Sequence, residues 1–245
     1  MPSWRRKRSG GERQPLSSGT ERRVLCYVTD RIGLGAPSGD AEAETARLSR
    51  LLARIRLAME SGVDWVQIRE KDLSGRILIE LTREAVAAAA SRQARVIVND
   101  RLDVAVAAGA GGVHFGHESL PVREVAHWRA REKSAKTALA DFLIGASCHS
   151  IEEAQEAAEN GADYIIFGPV FATPSKTKFG PPAGIELLGK VCAAIRIPVL
   201  AIGGINEANA GECFAAGAAG IAAIRMFQEP ASLEEMSRRI EALRK

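Results

Sequence analysis

Asn160-Gly-Ala-Asp-Tyr-Ile-Ile-Phe167 closes a helical stretch on a glycine and, within a few residues, enters a short apolar strand. The same phrase recurs as Ser61-Gly-Val-Asp-Trp-Val-Gln-Ile68, as Ala108-Gly-Ala-Gly-Gly-Val-His-Phe115 and as Ala216-Gly-Ala-Ala-Gly-Ile-Ala-Ala-Ile224. Gly62, Gly109, Gly161 and Gly217 each suit the left-handed position that ends a helix. The strands that follow are nearly continuous apolar runs, the mark of parallel strands covered on both faces. Four further strands fit the gaps: Val24–Thr29, Arg95–Asn99, Phe142–Ser147 and Val199–Ile202. Helical periodicity separates them, over 43–60, 75–91, 101–108, 122–132, 150–159, 184–195, 207–216 and 232–244. Ser150 before Glu152 and Glu153, and Ser232 before Glu234 and Glu235, read as N-caps with acidic first turns.

Strands alternating with helices in this number predict a single α/β domain, a (β/α)8 TIM barrel over 23–245. A doubly wound open sheet is the alternative. It would carry a Gly-rich turn after the first strand, where this chain reads Thr29-Asp30-Arg31. The length of 245 residues, with 46% hydrophobic and 26% charged residues, suits one such barrel. The formal charge of +3 is uneven: residues 1–23 hold seven basic and two acidic side chains, so the remainder is net negative. Residues 1–22 therefore read as a disordered basic tail with no apolar stretch for a signal or a membrane span, and the barrel itself gives no sign of binding nucleic acid. Cys26, Cys148, Cys192 and Cys213 show no metal-ligand spacing and read as reduced thiols in a cytoplasmic protein.

In such a barrel the chemistry collects at the carboxyl ends of the strands. Strand 2 ends Gln67-Ile-Arg-Glu-Lys71, and Arg69 and Lys71, two apart, can face one side and bind an anion. Strand 3 ends Asn99-Asp100: Asn99 can bond a heterocycle and Asp100 can hold Mg²⁺, unless the pair only forms an Asx turn opening the next helix. His114 on strand 4 is either a satisfied core imidazole or a site residue. Strand 5 offers Ser147 and His149 to the mouth, with Cys148 on the opposite face. After strand 6, Phe167–Lys176 reads FGPVFATPSK, a polar loop whose Thr173, Ser175 and Lys176 can grip a phosphate. After strands 7 and 8, the N–H groups of Gly203 and Gly204 together with Ile224-Arg225 suit a second phosphate, although two glycines can also simply make a tight turn. Two anion sites fit an enzyme that joins two phosphorylated small molecules.

Taken in order, VTD (28–30), QIREK (67–71), VND (98–100), GVHFG (112–116), GASCHS (145–150), GADYIIFGPVFATPSK (161–176) and AIGGI (201–205) resemble the thiamine phosphate synthase/TenI superfamily. The resemblance implies a transferase that joins hydroxymethylpyrimidine diphosphate to thiazole phosphate and releases pyrophosphate. It implies that Gln67 and Asn99 contact the pyrimidine, with His114 also in the binding set. Arg69, Lys71, Thr173, Ser175 and Lys176 would hold the diphosphate, Asp100 Mg²⁺, and the Gly203–Gly204 turn the thiazole phosphate; Ile224 and Arg225 beside that turn are further substrate-binding candidates of this chain. Ser147 would assist near the reacting carbon, and Lys176 is counted with it among the catalytic candidates. The partners implied are these small molecules, with no membrane or nucleic acid; the sequence is compatible with a homo-oligomer without specifying one. The chain departs from the synthase pattern where Gly116-His-Glu-Ser119 replaces GQED, putting a hydroxyl in place of the second metal carboxylate. Glu118 is displaced from that position by one residue, and Arg225 stands where a Ser is usual. Cys148-His149 and Ser119-Leu-Pro121 look closer to TenI-type thiazole tautomerases, in which His149 would be the acid/base. A barrel that binds thiazole phosphate without turnover is the third reading.

Overall fold

The computed structural model of the chain describes residues 22–35, 40–92, 94–134, 141–173 and 181–244. The predicted tail before Arg22, and Ser175 and Lys176 of the clamp loop, lie outside the described residues.

Eight parallel strands close on themselves in sequence order: β1 Val24–Val28, β2 Trp65–Ile68, β3 Arg95–Asn99, β4 Gly112–Phe115, β5 Leu143–Cys148, β6 Tyr164–Phe167, β7 Val199–Ile202 and β8 Gly220–Ala223. Around them, among the described residues, run α1 Asp40–Glu60, α2 Gly75–Ala89, α3 Leu102–Ala107, α4 Val122–Ser134, α5 Ile151–Glu159, α6 Gly184–Ala194, α7 Ala210–Ala215, α8 Arg225–Gln228 and α9 Leu233–Arg244. The structure is the predicted (β/α)8 barrel, and the open sheet is excluded by the β1–β8 pairing. No helix among the described residues is long and apolar enough to cross a membrane.

The local signals hold where the sequence placed them. Gly62, Gly109, Gly161 and Gly217 all have positive φ after their helices, and the Ser150 hydroxyl accepts from Glu153 N at 3.1 Å. Two boundaries move. α7 starts at Ala210 rather than at 207, because Asn206 Oδ1 takes the N–H groups of Ala208 and Asn209 in an Asx turn. Arg225, expected as the end of the last strand, instead opens the one-turn helix α8.

Register decides which side chains meet. Every inward residue is paired with an inward neighbour, as in Val28↔Gln67, Gln67↔Ile97, Asn99↔His114, His114↔Gly145, Ser147↔Ile166 and Ile202↔Ala222. Because side chains alternate along a strand, this fills the lower barrel with Val24, Cys26, Trp65, Ile97, Leu143, Tyr164 and Leu200. Gly145 makes room there: a Cβ on it would lie 2.1 Å from the Tyr164 ring. The outward set, Leu25, Val66, Val98, Phe115 and Ile165 among others, packs under the helices in one continuous core.

The aspartate of the repeated phrase has a structural task at the opposite end from the mouth. Asp163 accepts the Ile144 N–H at 2.9 Å, and Asp64 accepts the Leu25 N–H at 2.9 Å, so each caps the strand before its own. Each also holds an arginine: Asp163 pairs with Arg129, which reaches the Phe142 carbonyl as well, and Asp64 pairs with Arg244. The Arg129–Asp163 side chains are 7% and 1% exposed, the Arg244–Asp64 pair 22% and 19%. Removing one partner of the buried pair leaves an uncompensated charge in the interior. Asp163→Ala should therefore cost about 3–5 kcal/mol in urea unfolding, and Asp64→Ala distinctly less. Equal losses would show that burial does not set the difference.

Candidate active site

The polar layer at the barrel mouth consists of Gln67, Asn99, His114 and Ser147, one from each of β2 to β5, beside Ile166, Ile202 and Ile224. Asp100 follows β3 with φ 62°, a left-handed backbone that Asp tolerates better than most residues. Its N–H bonds the His114 carbonyl at 2.8 Å, which sets the carboxylate over the mouth edge. That carboxylate is an acceptor hub. Oδ1 accepts from the Ser119 hydroxyl and from Gly116 N at 3.3 Å. Oδ2 accepts from Asn99 Nδ2 at 2.6 Å and lies 3.8 Å from Lys71 Nζ. The Asx-turn reading fails here: α3 begins at Leu102 with no side-chain cap.

Hydrogen-bond direction propagates from this hub. A carboxylate accepts and does not donate, so Asn99 turns its NH2 to Asp100 and its Oδ1 to Gln67. Gln67 must then give its Nε2, which lies 3.0 Å from Asn99 Oδ1. Its remaining atom, Oε1, is buried and has no partner among the described residues. A buried acceptor left open is costly unless a ligand or water fills it, so the layer presents one acceptor to whatever binds.

A second chain runs through His114, which is 1% exposed. Nε2 lies 2.9 Å from Ser147 Oγ, and Nδ1 lies 3.2 Å from Tyr164 OH. The core reading of this imidazole holds, and it meets the mouth through Ser147. Burial is the main reason that its pKa is pushed down to about 3; Asp100 opposes the shift and Arg69 adds to it.

The cations are held by an anchor that sequence reasoning missed. Glu70, between Arg69 and Lys71, turns away from the mouth and is 5% exposed. It accepts from Thr29 Oγ1 at 2.6 Å and from Arg31 Nη1 at 3.1 Å, while Arg31 also binds Asp72 and Glu44. Thr29 Oγ1 in turn accepts from Arg69 N at 2.9 Å. Burial raises the Glu70 pKa, and these partners oppose the rise. Arg69 and Lys71 on either side of it are exposed, and Lys71 reaches Asp100 at the mouth. The signal was present in the Thr29-Asp30-Arg31 strand end, whose threonine and arginine are the two groups that hold Glu70.

On the far side of the mouth, the chain after β6 is stitched to the Gly203–Gly204 turn. Val170 N bonds Ile202 O at 2.8 Å and Phe171 N bonds Gly203 O at 3.0 Å. Gly204 has φ +65°, and a Cβ there would lie 2.5 Å from the Ala172 carbonyl, so the turn needs glycine for both conformation and space. The N–H groups of Gly203 and Gly204 have no acceptor among the described residues. Thr173 lies at the end of this described segment, and Ile224 and exposed Arg225 begin α8 beside β8.

His149 is exposed and acts as a brace: its ring Nδ1 meets the Gly168 carbonyl and its N–H bonds Glu153 Oε2 at 2.7 Å. Cys148 points outward into the core, and burial pushes its thiol up to about 12, so both its direction and its environment disfavour a thiolate nucleophile there. Among the described residues no three His, Cys, Asp or Glu side chains gather for a metal. Asp100 with the Ser119 hydroxyl still suits Mg²⁺, which is commonly held by one or two carboxylates with the rest supplied by substrate phosphate and water.

Fold and mouth together define a (β/α)8 barrel with cations and the Asp100 carboxylate on one rim and a glycine turn on the other. A family model described as thiamine monophosphate synthase matches residues 41–227. The chain is 40% identical over 220 residues to a thiamine-phosphate synthase of Chlorobium luteolum, covering 90% of this chain and 92% of that one. It is 44% identical over 169 residues to a thiamine-phosphate synthase of Methanoculleus marisnigri, covering 69% and 76%. A solved thiamine phosphate pyrophosphorylase from Pyrococcus furiosus superposes with a TM-score of 0.70 at 32% identity, covering 90% of this chain and 96% of that one. The chain belongs to the thiamine monophosphate synthase family.

The buried neutral His114 makes stability depend on pH. Between its unfolded pKa near 6.5 and its folded pKa of about 3, only the unfolded chain takes up the proton. Its contribution is therefore complete above that window and declines as pH falls, by at most about 1.4 kcal/mol per pH unit. Urea midpoints at neutral and acid pH should fall more for the wild type than for His114→Gln. Equal falls would contradict the assignment.

Proposed function

We propose that this barrel is a transferase, a thiamine-phosphate synthase, joining hydroxymethylpyrimidine diphosphate to thiazole phosphate with release of pyrophosphate. The observation that carries this reading is the Lys71 ammonium 3.8 Å from the Asp100 carboxylate at the mouth, with Asn99 bonded to the same carboxylate and Gln67 bonded to Asn99. A diphosphate set there meets a cation and a carboxylate fit for a metal, while the attached ring meets the open Gln67 acceptor.

In this reading Gln67 Oε1 accepts from the pyrimidine, and Asn99 holds Gln67 in place. Arg69 and Lys71, with Thr173, Ser175 and Lys176, neutralise the diphosphate. The carbon–oxygen bond of the pyrimidine methylene breaks with its electron pair leaving on the diphosphate, and the thiazole nitrogen forms the new bond, so no protein nucleophile is needed. Asp100 would hold Mg²⁺ against the diphosphate oxygens, where its chemistry is to offset the charge on the leaving group. Ser119 is bonded to Asp100 and supports that carboxylate as a single ligand. Ser147 faces the reacting region, and the Gly203–Gly204 N–H groups with Arg225 take the thiazole phosphate beside Ile224. A thiazole tautomerase would need His149 as its acid/base; its ring Nδ1 meets the Gly168 carbonyl, and the assay below separates the two readings.

The test is Mg²⁺-dependent pyrophosphate release from the two phosphorylated precursors. The wild type should release it only with Mg²⁺ and both substrates, and Lys71→Ala should lower kcat/KM about a hundredfold. A wild type that aromatises a thiazole carboxylate phosphate without releasing pyrophosphate would replace this reading with the tautomerase.

A further inference from the structure

Tyr164, His114 and Ser147 form a hydrogen-bonded line from the apolar barrel floor to the mouth, and its direction follows from who can donate in the dry interior. Tyr164 is 1% exposed, with its ring edge-on to Trp65 at 4.7 Å, in the space left by Gly145. Among the described residues, its hydroxyl has one hydrogen-bonding neighbour, His114 Nδ1 at 3.2 Å. A buried phenol O–H needs an acceptor. If Nδ1 carried the ring proton, Tyr164 would accept and its own hydrogen would be left without a partner. With the proton on Nε2, Tyr164 donates to Nδ1 and the Nε2–H donates to Ser147 Oγ, 2.9 Å away. Every buried donor is then satisfied. The one hydrogen left over is that of Ser147, which is only half-buried.

We propose that Tyr164 and His114 are positioning residues that fix Ser147 as a hydrogen-bond donor toward the substrate, with the His114 proton on Nε2. This rests on the reading above that Ser147 faces the pyrimidine diphosphate. Mouth polarity is then fixed from two sides: the Asp100 line leaves an acceptor at Gln67, and the Tyr164 line leaves a donor at Ser147. The matching substrate group bears both an N–H and an acceptor atom, as an aminopyrimidine diphosphate does. No proton is transferred; the hydroxyl only donates a hydrogen bond.

The tautomer is read by nitrogen–proton correlation spectra of the ¹⁵N-histidine-labelled full chain without substrate. The chain has four histidines, and the spectrum of His114→Gln identifies the His114 signals. The expected result is a neutral ring protonated at Nε2 in the wild type, giving way to a tautomer mixture in Tyr164→Phe. A ring protonated at Nδ1 overturns the proposal whether or not the enzyme is active. In pyrophosphate release, Tyr164→Phe should lower kcat roughly fivefold to tenfold with KM nearly unchanged. His114→Leu should lose at least as much. His114→Gln, which keeps an N–H toward Ser147, should recover most of the loss. Equal rates for the Gln and Leu variants, or an unchanged kcat in Tyr164→Phe, would overturn the positioning role. Absence of pyrophosphate release by the wild type would overturn the synthase reading instead, and the spectra would still decide the tautomer.

Discussion

An acceptor-only carboxylate at the rim of a closed barrel orders the mouth of this protein. Asp100 has no proton to give, so each group around it must donate: Ser119 and Gly116 on one oxygen, Asn99 on the other, with Lys71 close by. That single requirement turns the Asn99 amide, which turns the Gln67 amide, which leaves a buried oxygen open. The left-handed backbone at residue 100 and its bond to the His114 carbonyl keep the carboxylate there. Closure supplies the rest. Strand partners match inward residue to inward residue, so four polar side chains of neighbouring strands all point into the mouth, while one slipped register would send a strand's set outward.

The two ends of the barrel divide the work. The repeated Gly-x-Asp phrase places Asp64 and Asp163 at the amino ends of β2 and β6, where each caps a neighbouring strand and holds an arginine. At the carboxyl ends, polar groups lack partners among the described residues: an acceptor at Gln67 and the N–H groups of Gly203 and Gly204, with exposed cations at Arg69 and Lys71. Fully satisfied groups stabilise the fold, whereas unsatisfied ones are where a ligand gains most.

The sequence was most legible where the physics is local. Glycines that end helices, serines that cap them and apolar runs that form strands act within a few residues, and their positions match the structure closely. The approach of Lys71 to Asp100 was not readable. Glu70 is turned away by Thr29 and Arg31, about forty residues distant in the chain, and no local pattern announces that contact. Nor did the sequence distinguish an Asx turn from a hub at Asn99-Asp100, because the distinction lies in Ser119 and Gly116 after the next strand. His114 could be placed in the interior from its apolar neighbours, but its line to Tyr164 needs the closed register.

The central claim is that Asp100 lets metal and diphosphate bind as one unit beside Lys71. Calorimetric titration of pyrophosphate into the full chain, with and without Mg²⁺, measures this directly. Binding in the wild type should strengthen at least about tenfold when Mg²⁺ is present, and Asp100→Asn should abolish that gain, since it removes the charge proposed to hold the metal. Equal pyrophosphate affinity with and without Mg²⁺, or a gain that survives in Asp100→Asn, would contradict the account.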